Sequence, residues 1–260
     1  KRRVNCSTKR RLIVMIRMLQ QEIKGFSRLI PSNFHSLWSF EDDVLDNIGV
    51  NNGIYQGVNN YTNGLINRCI NFAHSTSYVR VENDISLSFN DGVNDIETGF
   101  SLLINFKSTS TGNQYILTKR SDFGLSNGIN KEYQFLLNVA NTLYFSIYDQ
   151  LNGGLIRLSY PWLPTLNTWY HIQVYYDGSG LHTGLKMYVD GVNVGTTELF
   201  GTYTSNQPSV APLIIGTNTW NPTIEDFTGE LDELKKSKIV LTDEEALELA
   251  TKELEGIKVI

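Results

Sequence analysis

The sequence predicts an all-β fold, a two-sheet antiparallel jelly-roll sandwich, preceded by a basic helical arm and followed by a short C-terminal helix. From residue 34 onward, short runs of alternating apolar and polar residues follow one another, and clusters of Gly, Asn, Asp and Ser separate them. The composition supports this fold, since the 260 residues include 21 Gly, 11% aromatic residues and only 19% charged residues. Hydrophobic residues make up 41% of the chain, which is enough for a sizeable core.

The runs that predict strands cover residues 36–40, 78–81, 100–106, 114–119, 133–139, 142–148, 169–176 and 185–195. In WYHIQVYY (169–176), one set of alternate residues is more apolar than the other, which indicates one buried face. In KMYVDGVNV (186–194), Asp190 and Gly191 separate two apolar stretches, and this pair favours the type I′ turn of a two-residue hairpin. We therefore expect a hairpin at this position.

The last segment of the chain, LTDEEALELATKELEGI, predicts a helix. Thr242 is a suitable N-cap, and Glu245 three residues later completes a capping box. Leu247, Ala250 and Leu254 are expected on its apolar face.

Residues 1–33 form the predicted basic amphipathic arm, and residues 34–260 the sandwich with its C-terminal helix. The arm contains nine Lys and Arg residues and one Glu, a net charge of +8, so the rest of the chain carries −13 of the total of −5. Its apolar residues recur at helical spacing at Leu12, Met15, Ile16, Leu19, Ile23 and Phe26. The arm is expected to dock on a larger assembly, an anionic membrane surface or nucleic acid. The alternative is a helix folded back on the body.

A membrane-spanning protein and a protein with a zinc or redox cysteine motif are both disfavoured. No apolar run approaches the roughly 20 residues that cross a bilayer, so a transmembrane segment is not expected. Cys6 and Cys69 match no zinc or redox spacing and are expected to be free thiols.

A series of motifs follows in a particular order along the chain. They are LWSFEDDVLDNIGVNNG (37–53), YTNGLINRCINF (61–72), SYVRV (77–81), NTWYHIQVYYDG (167–178), LKMYVDGVNVG (185–195), PLIIGT (212–217) and FTGELDELKKSKIVLTDEEALEL (227–249). This ordered set resembles the laminin-G-like domains of the concanavalin A-like jelly-roll group over most of the chain. The resemblance implies two curved antiparallel sheets and a domain that binds glycans or proteins without catalysis.

The same superfold also hosts glycosidases, so fold alone does not exclude catalysis. Retaining glycosidases need two carboxylates about 5 Å apart, and in jelly-roll glycanases these alternate on one strand as Glu-x-Asp-x-Glu. Here GELDEL offers Glu230 and Asp232, followed by Leu234, or by Lys235 if the strand carries a bulge. The acid/base is missing either way, and the chain has no His-Glu-x-x-His motif. We therefore expect no enzyme.

The resemblance also implies a structural Ca²⁺ ion, for which oxygen ligands are required. Glu41 and Asp46 lie in the acidic segment FEDDVLDNIG, and Asp232 lies in the late strand that resembles the family's Gly-x-x-Asp-Glu motif. These three residues are the predicted metal ligands, with Asp46 and Asp232 sharing one ion. The alternative is that the acids only solvate and cap a loop.

Two loops carry candidate ligand-binding residues. In SYPWLPT (159–165), two prolines flank Trp162, which is expected to prevent regular strand pairing and to expose the indole. The segment GTNTWNPT (216–223) presents Asn218, Trp220 and Asn221. An indole that stacks on a sugar, with amides that bind its hydroxyls, would form a glycan site. The alternative is that these aromatic residues fill the core.

The function expected from these observations is a non-enzymatic module that binds a glycan or a protein surface, displayed on a virion (a phage capsid or tail) or on another extracellular assembly. The alternative is a structural or decoration subunit of a capsid or tail without a ligand, and a glycoside hydrolase is the third class. Exposed clustered aromatic residues would favour the binding module, whereas a sandwich buried against neighbouring subunits would favour the structural role.

Overall fold

A computed structural model describes residues 34–58, 60–73, 77–90, 99–120, 131–218 and 226–259. The predicted basic arm, residues 1–33, lies outside the described residues, as do Trp220 and Asn221. Within the described part, no helix is long and apolar enough to cross a membrane.

The described strands form two eight-stranded sheets, and all pairs of named strands are antiparallel. Sheet A consists of β1 (Phe34–Trp38), β3 (Tyr61–Asn63), β4 (Arg68–Phe72), β6 (Phe100–Ser108), β11 (Tyr170–Tyr176), β12 (Leu185–Val189), β13 (Val192–Val194) and β16 (Gly229–Ser237). Sheet B consists of β2 (Gly53–Gln56), β5 (Tyr78–Val81), β7 (Gln114–Arg120), β8 (Lys131–Leu137), β9 (Thr142–Asp149), β10 (Gly154–Pro161), β14 (Thr196–Phe200) and β15 (Leu213–Ile215). The two-sheet all-β sandwich is confirmed.

The strand order places β6, β11 and β16 at the centre of sheet A, which runs β13-β12-β11-β6-β16-β4-β3 with β1 also paired to β16. Sheet B runs β14-β10-β9-β8-β7-β15-β5-β2. The main core lies between the sheets and is rich in aromatic residues; Phe89 stacks on Phe100 and Tyr133, with ring centroids 3.5 and 4.3 Å apart. Because alternate residues of each strand enter this core, the intervening residues form the outer faces of the two sheets.

The predicted hairpin is confirmed between β12 and β13. Asp190 and Gly191 have φ angles of 51° and 76°, the two positive values that a type I′ turn requires. A Cβ atom on Gly191 would lie 2.8 Å from the Cα of Leu247, so glycine also permits close approach to the C-terminal helix.

The C-terminal helix, α1 (Asp243–Leu254), begins as predicted. The Thr242 side chain accepts a hydrogen bond from the Glu245 amide, and the Glu245 side chain accepts one from the Thr242 amide. The prediction of its apolar face is partly wrong, because Leu247 is 51% exposed. The residues that pack on the outer face of sheet A are instead Ala246 and Leu249, in a cluster with Tyr175, Tyr188 and Leu103.

Around Trp162, strand pairing ends as predicted, since β10 stops at Pro161 and residues 162–165 lie in no strand. Pro161 itself pairs with Thr142 of β9 at the end of the strand. A strand end tolerates proline, because the ladder hydrogen bond that proline cannot donate is missing there in any case.

Candidate functional site

The acidic strand β16 carries a bulge. The register with β6 shifts between Asp232 and Lys235, and Glu233 has a φ of 50°. Glu230, Asp232 and Lys235 therefore share the outer face of sheet A. The third position is the lysine, as the sequence predicts for a bulged strand, so no carboxylate completes the Glu-x-Asp-x-Glu pattern.

Two carboxyl groups of this strand, those of Glu230 and Asp232, already have partners within the protein. Glu230 forms an ion pair with Lys107 on β6, and its Oε2 lies 3.9 Å from the Cys69 thiol. Asp232 is fully buried, and its Oδ2 accepts a hydrogen bond of 2.9 Å from the Ile66 amide. Burial raises the pKa of Asp232 to about 8, which the Ile66 hydrogen bond only partly offsets. Asp232 therefore holds its proton at neutral pH inside the protein.

Helix α1 covers the rest of this face through a buried ionic network. The Lys235 Nζ lies 2.6 Å from Glu253 Oε1 and 2.9 Å from Glu233 Oε2. The second oxygen of Glu253 accepts a hydrogen bond of 2.8 Å from Asn105 and lies 3.1 Å from His171 Nε2. Burial opposes ionisation of Glu253, but Lys235 and His171 lower its pKa to about 2. The network fixes the helix on the sheet.

The first predicted calcium ligand, Asp46, organises its own loop. It is 7% exposed, and its Oδ1 accepts hydrogen bonds from the amides of Leu37 (3.0 Å) and Gly49 (2.9 Å). Its Oδ2 accepts one from the Asn51 amide at 3.1 Å. Both oxygens are therefore committed to backbone donors, the arrangement of a loop-capping carboxylate.

The other two predicted ligands have different partners. Glu41 accepts hydrogen bonds from the Asn67 side chain (3.0 Å) and the Arg68 amide (3.1 Å). Asp232 accepts its hydrogen bond from the Ile66 amide. Within the described ranges, no group of three or more His, Cys, Asp or Glu residues is placed to hold a metal ion. As described, Glu41, Asp46 and Asp232 do not fit one shared ion, and calcium binding by this chain stays a prediction.

In the predicted loop site, Trp162 packs against other aromatic rings and Asn218 is buried. Trp162 is half-buried at one end of the core, where its ring meets that of Tyr170 edge-on at 4.8 Å and approaches Tyr160 and Phe106 at 6.3 and 6.1 Å. Asn218, expected to be presented to ligand, is only 1% exposed. Since Trp220 and Asn221 lie outside the described residues, the glycan site at these loops stays a prediction.

Sequence reasoning missed a second aromatic surface, on the outer face of sheet B near its β14 edge. Its members are Tyr144, Tyr148, Leu155, Arg157 and Phe200, and we call it the Arg157 surface. The register places them on one face, because Leu155 lies opposite both Tyr148 and Phe200 on the two neighbouring strands. The alternate residues of these strands, such as Ile147 and Ile156, enter the core.

Arg157 is clamped at the centre of this surface. Its guanidinium carbon lies 4.9 Å from the ring centroid of Tyr144 and 5.0 Å from that of Phe200, and its Nε donates a hydrogen bond of 3.1 Å to Ser146. Phe200 is 44% exposed, and Arg157 is half-buried. Each cation–π contact at such a site contributes about 0.5–1 kcal/mol, so the two rings hold the guanidinium plane in place.

The fold defines a lectin-like β-sandwich. The chain belongs to the concanavalin A-like lectin/glucanase superfamily, since a laminin G model of that superfamily matches residues 75–246. A comparison with curated proteins found no match.

Solved structures share the sandwich at low sequence identity. The binding domain of Paraclostridial Mosquitocidal Protein 1 is 15% identical, with a TM-score of 0.63 over 87% of this chain and 56% of that one. The receptor binding domain of botulinum neurotoxin D is 12% identical, with a TM-score of 0.61 over 85% and 53%. The serotype D ligand binding domain solved with N-acetylneuraminic acid is 11% identical, with a TM-score of 0.60 over 87% and 52%. The chain spans about half the length of each, and the likeness shows the fold.

Proposed function

We propose that this chain is a non-enzymatic binding module that recognises a glycan or a protein surface through the Arg157 surface. The observation that carries the proposal is a guanidinium clamped between two aromatic rings on a half-exposed sheet face. Aromatic and arginine side chains supply most of the energy at many binding surfaces. The family name, which includes lectins, and the structural likeness to receptor-binding domains of toxins support this class of function.

Loss of one aromatic side chain from the Arg157 surface should weaken binding. Phe200→Ser is expected to lower affinity at least about tenfold for whichever partner is found on a glycan array or by capture on a receptor panel, because it removes a ring and releases Arg157. Val192→Ser is the matched control, since Val192 is 61% exposed on β13 of the other sheet. Equal weakening by both variants, or by neither, would contradict the proposal.

The glycosidase alternative makes a different prediction. The full chain should release no reducing ends from a panel of β-glucans and galactans, because Lys235 occupies the third position after Glu230 and Asp232, and because Asp232 is buried. Glu230→Gln is the control for contaminating activity. Hydrolysis by the parent chain that this variant loses would establish an enzyme and overturn the proposed class.

We also propose display on a virion or another extracellular assembly, with the basic arm as the anchor. The support is the charge split between the arm and the body. A structural or decoration subunit without a ligand is the second candidate, and the same charge split favours it equally.

The anchor role predicts that deleting residues 1–33 leaves a folded body with a nearly unchanged melting temperature, since the two sheets enclose their own core. Binding of the full chain to the virion or other assembly that displays it should weaken as salt rises. Replacing Arg10, Arg11 and Arg17 with Ser should cause the same weakening. Ile16→Asp should weaken docking even at low salt if the apolar face is buried against the partner. Co-sedimentation with the assembly measures binding in each case. An unfolded truncated body would show that the arm belongs to the core.

A further inference from the structure

We infer that the ligand of the Arg157 surface is a glycan that carries a carboxylate, and that Arg157 pairs with that carboxylate. The inference rests on the proposed binding function and names the chemistry that the surface selects. It follows from the donors of Arg157, from the charges around it and from the apolar side chains beside it.

Arg157 offers more hydrogen-bond donors than the protein uses. A guanidinium carries five N–H groups in a planar fork. In the part of the chain that the structure describes, its hydrogen bond is the one from Nε to Ser146, and its two terminal nitrogens have no protein acceptor. Because the Tyr144 and Phe200 rings flank the guanidinium, a hydrogen-bond acceptor can best approach in the guanidinium plane, at the edge that carries the two terminal nitrogens. A carboxylate matches that edge with two parallel hydrogen bonds.

The acidic residue opposite Arg157 on the neighbouring strand forms no ion pair with it among the described residues. Glu198 lies opposite Arg157 in the β10–β14 register, on the same face of sheet B. Its Oε2 accepts a hydrogen bond of 3.3 Å from Ser159, and the described residues contain no ion pair between Glu198 and Arg157. The positive charge of Arg157 therefore stays available to an anion from outside the chain.

The local charge favours a single acidic group over a polyanion. Among the described residues, Lys131 is a second cation at this surface, and its Nζ lies 5.9 Å from the ring centroid of Tyr148. Residues 34–260 together carry −13, which would repel a heavily sulfated chain or a nucleic acid. A sugar with one carboxylate gains the bidentate pair and carries only one charge for the body to repel.

The remaining members of the surface suit a sugar ring. Leu155 lies two residues before Arg157 on β10, about 7 Å along the strand, with Tyr148 and Phe200 on either side of it. These side chains give an apolar floor beside a fixed charge. A pyranose has an apolar face for such a floor, and an acidic substituent places its carboxylate at the edge of the ring.

The test compares matched probes by isothermal titration calorimetry with the full chain. The acidic probes are 3′-sialyllactose and a hyaluronan tetrasaccharide, and the neutral probes are lactose and the methyl ester of 3′-sialyllactose. At least one acidic probe should bind about tenfold more tightly than either neutral probe. Arg157→Gln should remove that preference, and Arg157→Lys should restore little of it, since an ammonium neither stacks nor binds bidentately.

The control variant is Arg80→Gln, because Arg80 lies on the same outer face and already pairs with Glu82 at 2.8 Å. It should leave the acidic preference unchanged. Unchanged melting temperatures would show that the variants remain folded.

Several outcomes would overturn the inference. If neutral probes bind as tightly as acidic ones, or if Phe200→Ser abolishes binding while Arg157→Gln does not, the binding function stands and the carboxylate pairing fails. Binding of a heparin oligosaccharide alone, or of a poly-glutamate peptide alone, that Arg157→Gln abolishes would assign a sulfate or a protein ligand to this surface instead. Absence of binding to both acidic sugars at millimolar concentration would also reject the carboxylated glycan, whereas failure of every partner in the array and panel would reject the proposed function.

Discussion

Lys119→Met is expected to destabilise the protein by about 3–5 kcal/mol, the cost of leaving a buried charge without its partner. The Lys119 Nζ lies 2.6 Å from Glu132 Oε1, and both side chains are fully buried. Lys119 also donates to Asn83 Oδ1 at 2.7 Å and to the Ala211 carbonyl at 2.9 Å. Without Lys119, the hydrogen bonds that the described residues leave to the Glu132 carboxylate are the two from Ser209 to its Oε1. Urea unfolding of the full chain measures the loss.

Two comparisons separate this loss from a generic effect of charge. Lys119→Met combined with Glu132→Leu should be less destabilised than the sum of the single variants, because neither residue then leaves a lone buried ion. Arg80→Met breaks the Arg80–Glu82 pair, whose side chains are 38% and 64% exposed, and should cost no more than about 1 kcal/mol. A loss below that value for Lys119→Met would contradict the account of a buried pair.

The sequence predicted the long strands because burial of one face imposes a period of two. Strands β6 and β9 begin at the predicted residues, Phe100 and Thr142. The same period does not reveal buried ions such as Lys119, which lies on the core-facing side of β7 with Leu117 and pairs with Leu213 and Tyr133. In the folded chain, the segment that contains Ser209 and Ala211 closes over it. No local pattern indicates such a cover.

Local sequence signals predicted the start of helix α1 but not its buried face. The capping box of α1 depends on residues three apart, so sequence alone located the first turn. The buried stripe depends on sheet A instead, since Gln173 donates to the Ala246 carbonyl and Lys235 draws Glu253 inward. A charged residue in that stripe is invisible to hydrophobic periodicity, and Leu247 was assigned inward in its place.

The candidate site could not be predicted for a related reason. Tyr144, Arg157 and Phe200 come from three strands, and their contact depends on the register of β9, β10 and β14. Alternation predicts which residues share a face of one strand, but it does not fix which strands are neighbours. The sequence signal was therefore strongest at conspicuous tryptophans such as Trp162, whose ring packs at the end of the core.

Asp232→Asn is expected to stabilise the protein at alkaline pH. The folded-state pKa of Asp232, about 8, lies above the ordinary value of 3.8 because the carboxyl is buried. The folded protein thus holds a proton that the unfolded chain has lost, so the contribution of Asp232 to stability is complete below pH 3.8 and declines as the pH rises through 8. Asparagine never ionises and still accepts the Ile66 hydrogen bond. At pH 9 the variant should exceed the parent by roughly 2–5 kcal/mol, since one pKa unit corresponds to about 1.4 kcal/mol.

The difference between variant and parent must be followed across pH, because Lys236 changes stability in the opposite direction. Burial lowers the pKa of Lys236 from 10.5 to about 7, so its contribution improves as the pH rises between those values, and it cancels in the difference. Asp149→Asn provides the contrast. Burial there opposes ionisation, but hydrogen bonds from Asn152 and the Thr204 amide hold the pKa of Asp149 below its ordinary value. Asp149→Asn should be less stable than the parent protein above pH 4. If the stabilisation by Asp232→Asn does not grow between pH 4 and pH 9, Asp232 ionises freely in the folded chain and the prediction fails.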